Sequence, residues 1–208
     1  MTSNAFYFDA ADPPAKRAIL GAALALYAEK GIDATSVRDI GDLAGFTNPA
    51  LFRHFSGKDD LALYLFEKIF RHFRSKLPEV DDRPFASQLR DTLAAYLDFF
   101  DEDLKAALYF QENLRRLWPR LPAGVRRRSL LKHFGLLLET GVAQGAVSAR
   151  DDTRLLVTLI AGFLGQLARQ LYFRELPGSA LSRLDEVHGL ILRSLAKTSR
   201  AEPREKSS

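Results

Sequence analysis

The sequence contains no cysteine among its 208 residues. Without cysteine the chain can form no disulfide, offer no thiolate nucleophile and hold no zinc through sulfur. Its four histidines are widely separated, and it has neither an H-E-x-x-H motif nor a glycine-rich phosphate loop. The residues therefore do not favour an enzyme, a cofactor site or a metal site.

Long hydrophobic runs are also missing, although 47% of the residues are hydrophobic. The segment Leu155 to Ala168 comes nearest, and it is interrupted by Thr158, Gly162, Gly165 and Gln166. A membrane-spanning helix needs about 18 uninterrupted apolar residues. The N-terminal stretch MTSNAFYFDAADPP lacks the basic and apolar regions of a signal peptide. We therefore expect a cytoplasmic protein with no membrane partner.

The net charge of +4 and the pI near 9.4 would suit a protein that binds nucleic acid. The basic excess lies late in the chain, for example at Arg126, Arg127 and Arg128. In the first 60 residues, six lysines and arginines face eight aspartates and glutamates, which leaves a charge of −2. Charge is thus poor evidence for DNA binding, and the case depends on the residue pattern.

The spacing of apolar residues predicts helices throughout and no strand. Asp12 is expected to cap a first helix that Gly31 ends. Ser36 and Asp39 have the spacing of a capping box for a short second helix, which Gly45 ends.

Thr47 can cap a third helix that begins at Asn48. A second capping-box pattern at Ser56-Gly57-Lys58-Asp59 predicts a long helix to about Lys76. The further predicted helices are Phe85 to Phe100, Leu104 to Leu117, about Ala123 to Gly141, Asp152 to Phe173 and Ser179 to Ala196.

Two short helices joined by a tight turn form a helix-turn-helix, whose second helix can lie in a major groove of DNA. With Leu51, Phe52 and Phe55 facing inward, its outer face offers Thr47, Asn48, Ala50, Arg53 and His54. Amide and guanidinium groups can read adenine and guanine there, and no carboxylate stands among them. Helix-turn-helix geometry also occurs in helical proteins that do not bind DNA, so these features alone leave both alternatives open.

The run AILGAALALYAEKGIDATSVRDIGDLAGFTNPALFRHFSGKDDL resembles the N-terminal domain of the tetracycline-repressor (TetR) family. The matching elements are Ile19-Leu20, the turn from Gly31 to Val37, Ala44-Gly45, and LFRHFSGKDDL at Leu51 to Leu61. The family typically reads LY-x-HF-x-x-K-x-x-L at the last of these. The rest of the chain matches the family only in length, helix count and a final pair of long apolar helices.

The resemblance implies roles for individual residues. Phosphate contacts are implied for Thr35 or Ser36, the backbone near Phe52, His54 and Lys58, and base-edge contacts for Arg38, Asn48, Pro49, Ala50 and Arg53. The family usually has Tyr at Phe52 and Ala at Gly41, so one phosphate contact is lost and helix two is looser by up to ~1 kcal/mol. His54 has the alternative of a capping or packing role.

The apolar helical faces after Leu61 have two possible uses. In the dimer that the resemblance implies, the last two helices of each copy form a four-helix bundle, with candidate interface residues Leu159, Leu167, Leu171, Leu184, Val187, Ile191 and Leu195. The alternative is that these residues close the core of the monomer.

The middle helices carry an aromatic-rich set that predicts a ligand pocket. Its candidates are Tyr96, Phe100, Tyr109, Trp118, Phe134 and Phe163, with Asn113, His133 and Gln166 as polar anchors. Aromatic residues at helical spacing are also typical of a core. The resemblance suggests a small apolar or amphipathic effector that shifts the two recognition helices from the ~34–36 Å spacing of successive major grooves.

We therefore predict an all-α protein of about nine helices. Residues 1–11 would be a flexible arm, 12–58 the helix-turn-helix domain, 59–198 the ligand-binding and dimerisation domain, and 199–208 a disordered tail. The predicted function is a ligand-responsive repressor that binds a pseudo-palindromic operator as a homodimer. The alternative is a helical small-molecule-binding or scaffold protein without specific DNA binding.

Overall fold

The computed structural model describes residues 6–46 and 53–196, and every regular element in these two stretches is helical. The α-helices are α1 (Pro14–Ala34), α2 (Val37–Ala44), α3 (Lys58–Lys76), α4 (Phe85–Glu102), α5 (Leu104–Leu117), α6 (Ala123–Arg126), α7 (Leu130–Ala143), α8 (Thr153–Tyr172) and α9 (Leu184–Leu195). Short 3-10 turns follow α5 at Trp118–Arg120 and precede α9 at Leu181–Arg183. The all-α prediction, with an N-terminal helical domain before a larger helical one, is confirmed. The predicted helix from Asn48 and the predicted disordered tail lie outside the described residues.

Several helix ends lie at the residues that predicted them. Gly45 ends α2 in the left-handed conformation, with a φ of 72°, which costs glycine little because it has no Cβ. Asp103 caps α5, and its carboxylate accepts a hydrogen bond from the amide of Ala106 at 3.0 Å. The C-terminus of α3 falls at Lys76, as the spacing predicts.

The predicted cap of α1 at Asp12 is wrong. The Asp12 carboxylate accepts hydrogen bonds from the Asp9 amide at 2.8 Å and from Nζ of Lys16 at 2.7 Å. No side chain caps α1, which begins at Pro14. Proline at positions 13 and 14 has no amide hydrogen, so the first groups that a cap would satisfy are missing.

The capping box predicted for α3 at Ser56-Gly57-Lys58-Asp59 is also wrong, because other residues form the hydrogen bonds. The amide of Ser56 donates to the carboxylate of Asp60 at 3.0 Å, and Gly57 is the cap residue without a side-chain hydrogen bond. The segment from Ala123 to Gly141, predicted as one helix, is divided into α6 and α7 because Ser129 caps a new helix through the amide of Lys132 at 3.1 Å.

Residues 6–11, predicted as part of a flexible arm, pack against the body. Phe6 stacks on His72 of α3, with ring centroids 4.0 Å apart and planes within 5°. Tyr7 is buried, and Asp9 forms an ion pair with Lys68 at 2.5 Å. The partners that hold this segment lie some 60 residues away in sequence, so its own lack of periodicity did not reveal its packing.

The core of the body is aromatic and joins α3, α4 and α5. Phe73 of α3 is fully buried and stacks on Phe99 of α4, with centroids 4.4 Å apart. Phe110 of α5 stacks on Phe66 of α3 at 5.0 Å. Burial of each such side chain stabilises the fold by roughly 1.5–3 kcal/mol, so this cluster fixes the relative positions of the three helices.

Candidate nucleic-acid interface

The corner between α1 and α2 is held by hydrogen bonds from side chains to the backbone. Gly31 has a φ of 81° and interrupts the helical backbone three residues before α1 ends at Ala34. The hydroxyl of Thr35 is buried and donates to the carbonyl of Gly31 at 2.8 Å. A free carbonyl at the end of α1 is thereby satisfied within the chain.

Lys58, the first residue of α3, fixes the same corner from the other side. Its Nζ donates to the carbonyls of Ile32, Asp33 and Thr35 at 3.1, 3.2 and 3.1 Å. Its own carbonyl accepts a hydrogen bond from the hydroxyl of Tyr27 at 2.9 Å. The three donors of the ammonium group are therefore used on the α1–α2 corner.

The predicted capping box at the start of α2 is confirmed. The Ser36 hydroxyl accepts the amide of Asp39 at 3.0 Å, and the Asp39 carboxylate accepts the amide of Ser36 at 2.9 Å. The same carboxylate accepts a hydrogen bond from Nζ of Lys30 at 2.8 Å. The Lys30 ammonium and the Ser36 donors lower the pKa of Asp39 to about 2. The helix therefore begins at a fixed place against α1.

Polar groups are exposed on both sides of residues 47–52, which lie outside the described chain. The side chain of Arg38 on α2 is 84% exposed, and its nearest carboxylate oxygen, on Asp42, is 3.7 Å away. Arg53 and His54 are exposed, whereas the next residue, Phe55, is buried with its ring centroid 5.4 Å from that of Tyr64. Phe55 thus anchors the chain to α3 while Arg53 and His54 face solvent.

The excess of acidic residues in the first 60 positions is offset by the body. Six of these carboxylates are in ion pairs: Asp9 with Lys68, Asp12 with Lys16, Asp39 with Lys30, Asp42 with Arg38, and Asp33 and Asp59 with Arg116. Lys68 and Arg116 lie beyond position 60, so a count over the segment alone misses them. The fold brings positive charge next to the acidic residues and leaves Arg38 and Arg53 exposed.

Helix α5 joins this corner to the body. Arg116, near its C-terminus, donates to Asp33 at 2.6 Å and to Asp59 at 3.0 Å. One of these carboxylates lies at the end of α1 and the other in the first turn of α3. Further back on α5, the buried hydroxyl of Tyr109 donates to the carbonyl of Ala62 at 2.7 Å. A displacement of α5 would therefore act on the end of α1 and on the first turns of α3.

An apolar cavity of about 340 Å³ lies on the other side of α5. Its walls come from α4, α5, the turn after α5, α7 and α8: Tyr96, Phe110, Gln111, Leu114, Arg115, Trp118, Ser129, Leu130, Leu131 and Ala161. The volume falls in the usual range for small-molecule pockets, and few polar groups interrupt the apolar lining. Burial raises the pKa of Tyr96, which stays neutral.

The segment that contains the α1–α2 corner is similar to segments of known regulatory proteins. Residues 19–65 match the family described as "Bacterial regulatory proteins, tetR family". The HTH-type transcriptional repressor KstR2 of Rhodococcus jostii is 32% identical over 105 residues, which is 48% of this chain and 50% of that protein. KstR2 of Mycolicibacterium smegmatis is 26% identical over 164 residues, which cover 73% of this chain and 78% of that protein.

The fold of the whole chain agrees with this match. The solved structure titled "ketosteroid transcriptional regulator KstR2 of Mycobacterium tuberculosis" superposes with a TM-score of 0.72 at 21% identity, over 90% of this chain and 97% of that one. The match to the TetR family thus covers the helix-turn-helix segment at residues 19–65, and the fold of the chain agrees with it. The aligned segment spans about half the length of the Rhodococcus jostii relative.

The residues predicted to contact DNA fall into three groups in the structure. Ser36, Arg38, Arg53 and His54 are on the surface. The side chains of Thr35 and Lys58 are turned into the α1–α2 corner instead, because unsatisfied carbonyls at the end of α1 compete for their donors. Thr47, Asn48, Pro49, Ala50 and Phe52 lie outside the described residues.

The predicted ligand residues do not form one pocket. Tyr96 and Trp118 line the apolar cavity. Phe100, Tyr109 and Phe134 are core residues, His133 is buried at a neighbouring groove, Asn113 lies at the α1–α5 joint, and Phe163 and Gln166 line a separate groove between α8 and α9. The cavity residues Phe110, Gln111 and Leu114 recur at helical spacing before Trp118, a signal that selection by aromatic type alone missed.

The predicted dimer residues lie mostly in the core of the protomer. Leu167, Leu171, Val187, Ile191 and Leu195 are buried, and Leu184 is half-buried, while Leu159 is 46% exposed. The five buried residues fit the alternative that these side chains close the core of the monomer. Helical periodicity identifies an apolar face but not which of two neighbours covers it.

Other apolar side chains on the last two long helices face outward, namely Leu155 and Leu190. Within the described part of the chain, α8 is the helix that is long and apolar enough to cross a bilayer, and a third of its most apolar window is buried. Length and composition alone do not separate a membrane span from a core or interface helix.

Proposed function

We propose that the chain is a ligand-responsive repressor that binds a pseudo-palindromic operator as a homodimer. The observation that carries this proposal is the α1–α2 corner locked by Lys58, with Arg53 and His54 exposed beside it. The corner fixes the described elements on either side of residues 47–52, and major-groove reading requires such a fixed frame. Residues 12–58 are proposed as the DNA-binding domain and 59–198 as the effector and dimer domain.

The proposed operator contacts follow the surface that the corner presents. Ser36 and His54 are assigned to phosphates, together with the backbone near Phe52. Arg38 and Arg53 are assigned to base edges, together with Thr47, Asn48, Pro49 and Ala50. Lys58 and Thr35 are reassigned from phosphate contact to positioning, because their side-chain donors already bind carbonyls of the corner.

The proposed dimer forms through the exposed face of α8 and α9. Leu155 is 68% exposed, Leu159 46% and Leu190 45%, and these leucines lie on helices that otherwise pack inward. Exposed leucines at helical spacing are costly in water and favour a second copy of the same face. A two-fold pair places two recognition segments on one side, which suits a palindromic site.

The proposed effector is a small apolar or amphipathic molecule that occupies the cavity bounded by Tyr96, Phe110 and Trp118. Gln111 and Ser129 are the polar groups that could orient it. The relative KstR2 of Mycobacterium tuberculosis is described as a ketosteroid regulator, which is consistent with an apolar effector of this size. Transcription regulation without enzymatic activity follows from the same proposal.

The effector would act through α5. Phe110, Gln111 and Leu114 line the cavity. On the same helix, Arg116 forms ion pairs with Asp33 and Asp59. A ligand that binds one position of α5 better than another shifts the population of protomer geometries. The recognition segments of the dimer then lose the spacing that two successive grooves demand.

Operator binding is tested with the DNA upstream of the gene, by fluorescence anisotropy across a salt series. A steep negative slope of log K against log salt and a preference over random DNA are expected. Asn48→Ala should weaken binding mainly at particular base pairs, whereas Ser36→Ala should weaken it on all sequences. Equal affinity for operator and random DNA would leave the scaffold or small-molecule-binding alternative in place.

The dimer face is tested by sedimentation velocity of the double variant Leu155→Glu/Leu159→Glu. We expect monomers where the wild-type protein is dimeric. Leu136→Glu, which changes an equally exposed leucine on α7, is the matched control and should stay dimeric. Dimers in both variants would place the interface elsewhere.

A further inference from the structure

A basic groove runs along the body between the C-terminal half of α3, the loop after it, and the segment that joins α6 to α7. Its larger part has a volume of about 550 Å³ and its extension about 220 Å³. Arg74, Glu79 and Arg128 line both parts, so the two are continuous. The apolar cavity is a separate space that meets the extension only at Ser129.

The groove is lined by five cationic side chains, namely Arg71, Arg74, Arg127, Arg128 and Lys132, and by one carboxylate, that of Glu79. Arg71 is paired with Glu67 at 2.6 Å, and Arg74 has only a 3.5 Å contact with Glu79, whose side chain is 88% exposed. For the last three cations, no carboxylate oxygen of the described residues lies within 4.0 Å. A concave surface with this imbalance focuses a positive potential on its interior.

Operator binding does not account for this charge. The groove starts at Arg71, which lies 13 residues after Lys58 in the same helix. At 1.5 Å per residue, that distance is about 20 Å along the axis of α3 from the helix-turn-helix corner. The cations therefore lie at the opposite end of α3 from the exposed Arg38 and Arg53.

The composition of the groove indicates what it binds. Four of its five cations are arginines, whose planar guanidinium groups match the geometry of phosphoryl oxygens better than a lysine ammonium does. The buried His133 at its floor is kept neutral, because burial and the neighbouring Arg74 lower its pKa to about 4. Arg126 points away and donates to the carbonyl of Leu121, so it does not take part.

We propose that this groove binds a small molecule that carries two adjacent phosphoryl groups, held chiefly by Arg74, Arg127 and Arg128. The volume suits a small ligand, and several separate cations suit a dianionic or trianionic group better than a single carboxylate. Free diphosphate and nucleoside diphosphates share this chemistry. The site is separate from both the operator surface and the apolar cavity.

The test is isothermal titration calorimetry of the full-length protein with sodium pyrophosphate, ADP and AMP at one fixed ionic strength. One pyrophosphate per protomer is expected. Arg128→Gln should weaken pyrophosphate binding by about tenfold or more, since a charge-assisted pair to phosphate is lost. The matched control is Arg150→Gln, an exposed arginine of the α7–α8 loop, which should change the affinity by less than about twofold.

The other ligands separate the sources of the phosphoryl groups. ADP that binds more tightly than pyrophosphate would support a nucleotide ligand, and equal affinities would support the diphosphate group alone. AMP that binds as tightly as ADP would overturn the two-phosphoryl proposal. No measurable pyrophosphate binding, or equal losses in Arg128→Gln and Arg150→Gln, would overturn the site altogether.

Operator affinity measured on the same variants keeps this proposal apart from the proposed function. Arg128→Gln should leave operator affinity within about twofold of the wild type, because the groove is remote from the corner. A loss of operator affinity equal to the loss of pyrophosphate affinity would make the groove part of the DNA surface and overturn the proposal. Loss of pyrophosphate binding with normal operator binding would leave the repressor function intact.

Discussion

The two ends of the protein are stabilised by different physical means. At the helix-turn-helix corner, short polar side chains and one lysine satisfy backbone groups of α1 and α2. In the body, stacked phenylalanines on α3, α4 and α5 fill the buried core. The corner must fix the relative orientation of α1 and α2 at a solvent-exposed surface, and hydrogen bonds do this because they are directional. The body must fill its interior without voids, and close packing of apolar side chains does this better than hydrogen bonding.

The largest effect is expected from a truncation in the body. Phe73→Ala removes a fully buried ring that stacks on Phe99, and should lower the free energy of unfolding by about 3–5 kcal/mol. Urea denaturation followed by circular dichroism measures this. Phe173→Ala, which removes a ring that is 59% exposed, is the control and should cost far less. Similar losses from both would contradict the assignment of the aromatic cluster as the core.

At the corner, Lys58→Ala should cost about 1–3 kcal/mol, because three carbonyls lose a charged donor. Operator affinity should fall while the slope of log K against log salt stays the same. A slope smaller by about one would mean that Lys58 neutralises a phosphate directly, contrary to its proposed positioning role. Lys30→Ala, which removes only an exposed ion pair with Asp39, is the control and should cost less than about 1 kcal/mol.

Acid should destabilise the body before the corner. Folding lowers the pKa of the buried His133 from 6.5 to about 4, so the unfolded chain binds the proton more readily between these values. The free energy of unfolding should therefore fall as the pH drops from 6.5 towards 4, by about 3 kcal/mol from this residue. His133→Gln should flatten that part of the pH profile of urea denaturation.

At the corner, the carboxylate of Asp39 loses its charge only at a lower pH. The pKa of the exposed Asp39 is lowered to about 2, so its contribution is complete above the unfolded value near 4 and is lost only as the pH falls towards 2. Asp39→Asn should leave the profile between pH 6.5 and 4 unchanged. A change in that range would show that the two regions do not titrate separately.

The smallest effect on stability, and the most direct test of how the two ends communicate, is expected at Arg116. Its ion pairs with Asp33 and Asp59 are largely exposed, so Arg116→Ala should cost less than about 1 kcal/mol of folding free energy. Operator affinity without effector should change little, but an effector found by screening should release the variant from DNA less completely. Normal release by the variant would exclude Arg116 from the coupling.

Local patterns predicted the start and the end of α2 well because caps and stops act within a few residues. The Ser36–Asp39 box and the Gly45 stop both depend on atoms three to five positions apart, and both are found in the structure. The cap at Asp12 failed because Lys16 and the Asp9 amide competed for the same carboxylate. The recognition segment itself lies outside the described residues, so its contacts remain predictions.

The sequence by itself determined most of the helices and the TetR resemblance, because each depends on local spacing. Only the tertiary structure decided what Lys58 binds, which leucines of α8 and α9 face inward, and which aromatic residues surround a cavity. The carbonyls that Lys58 binds, for example, lie 23 to 26 residues away in sequence. A helical pattern indicates that one face of a helix is apolar. Which helix covers that face, and which carbonyls accept hydrogen bonds from a lysine, depends on how the chain packs.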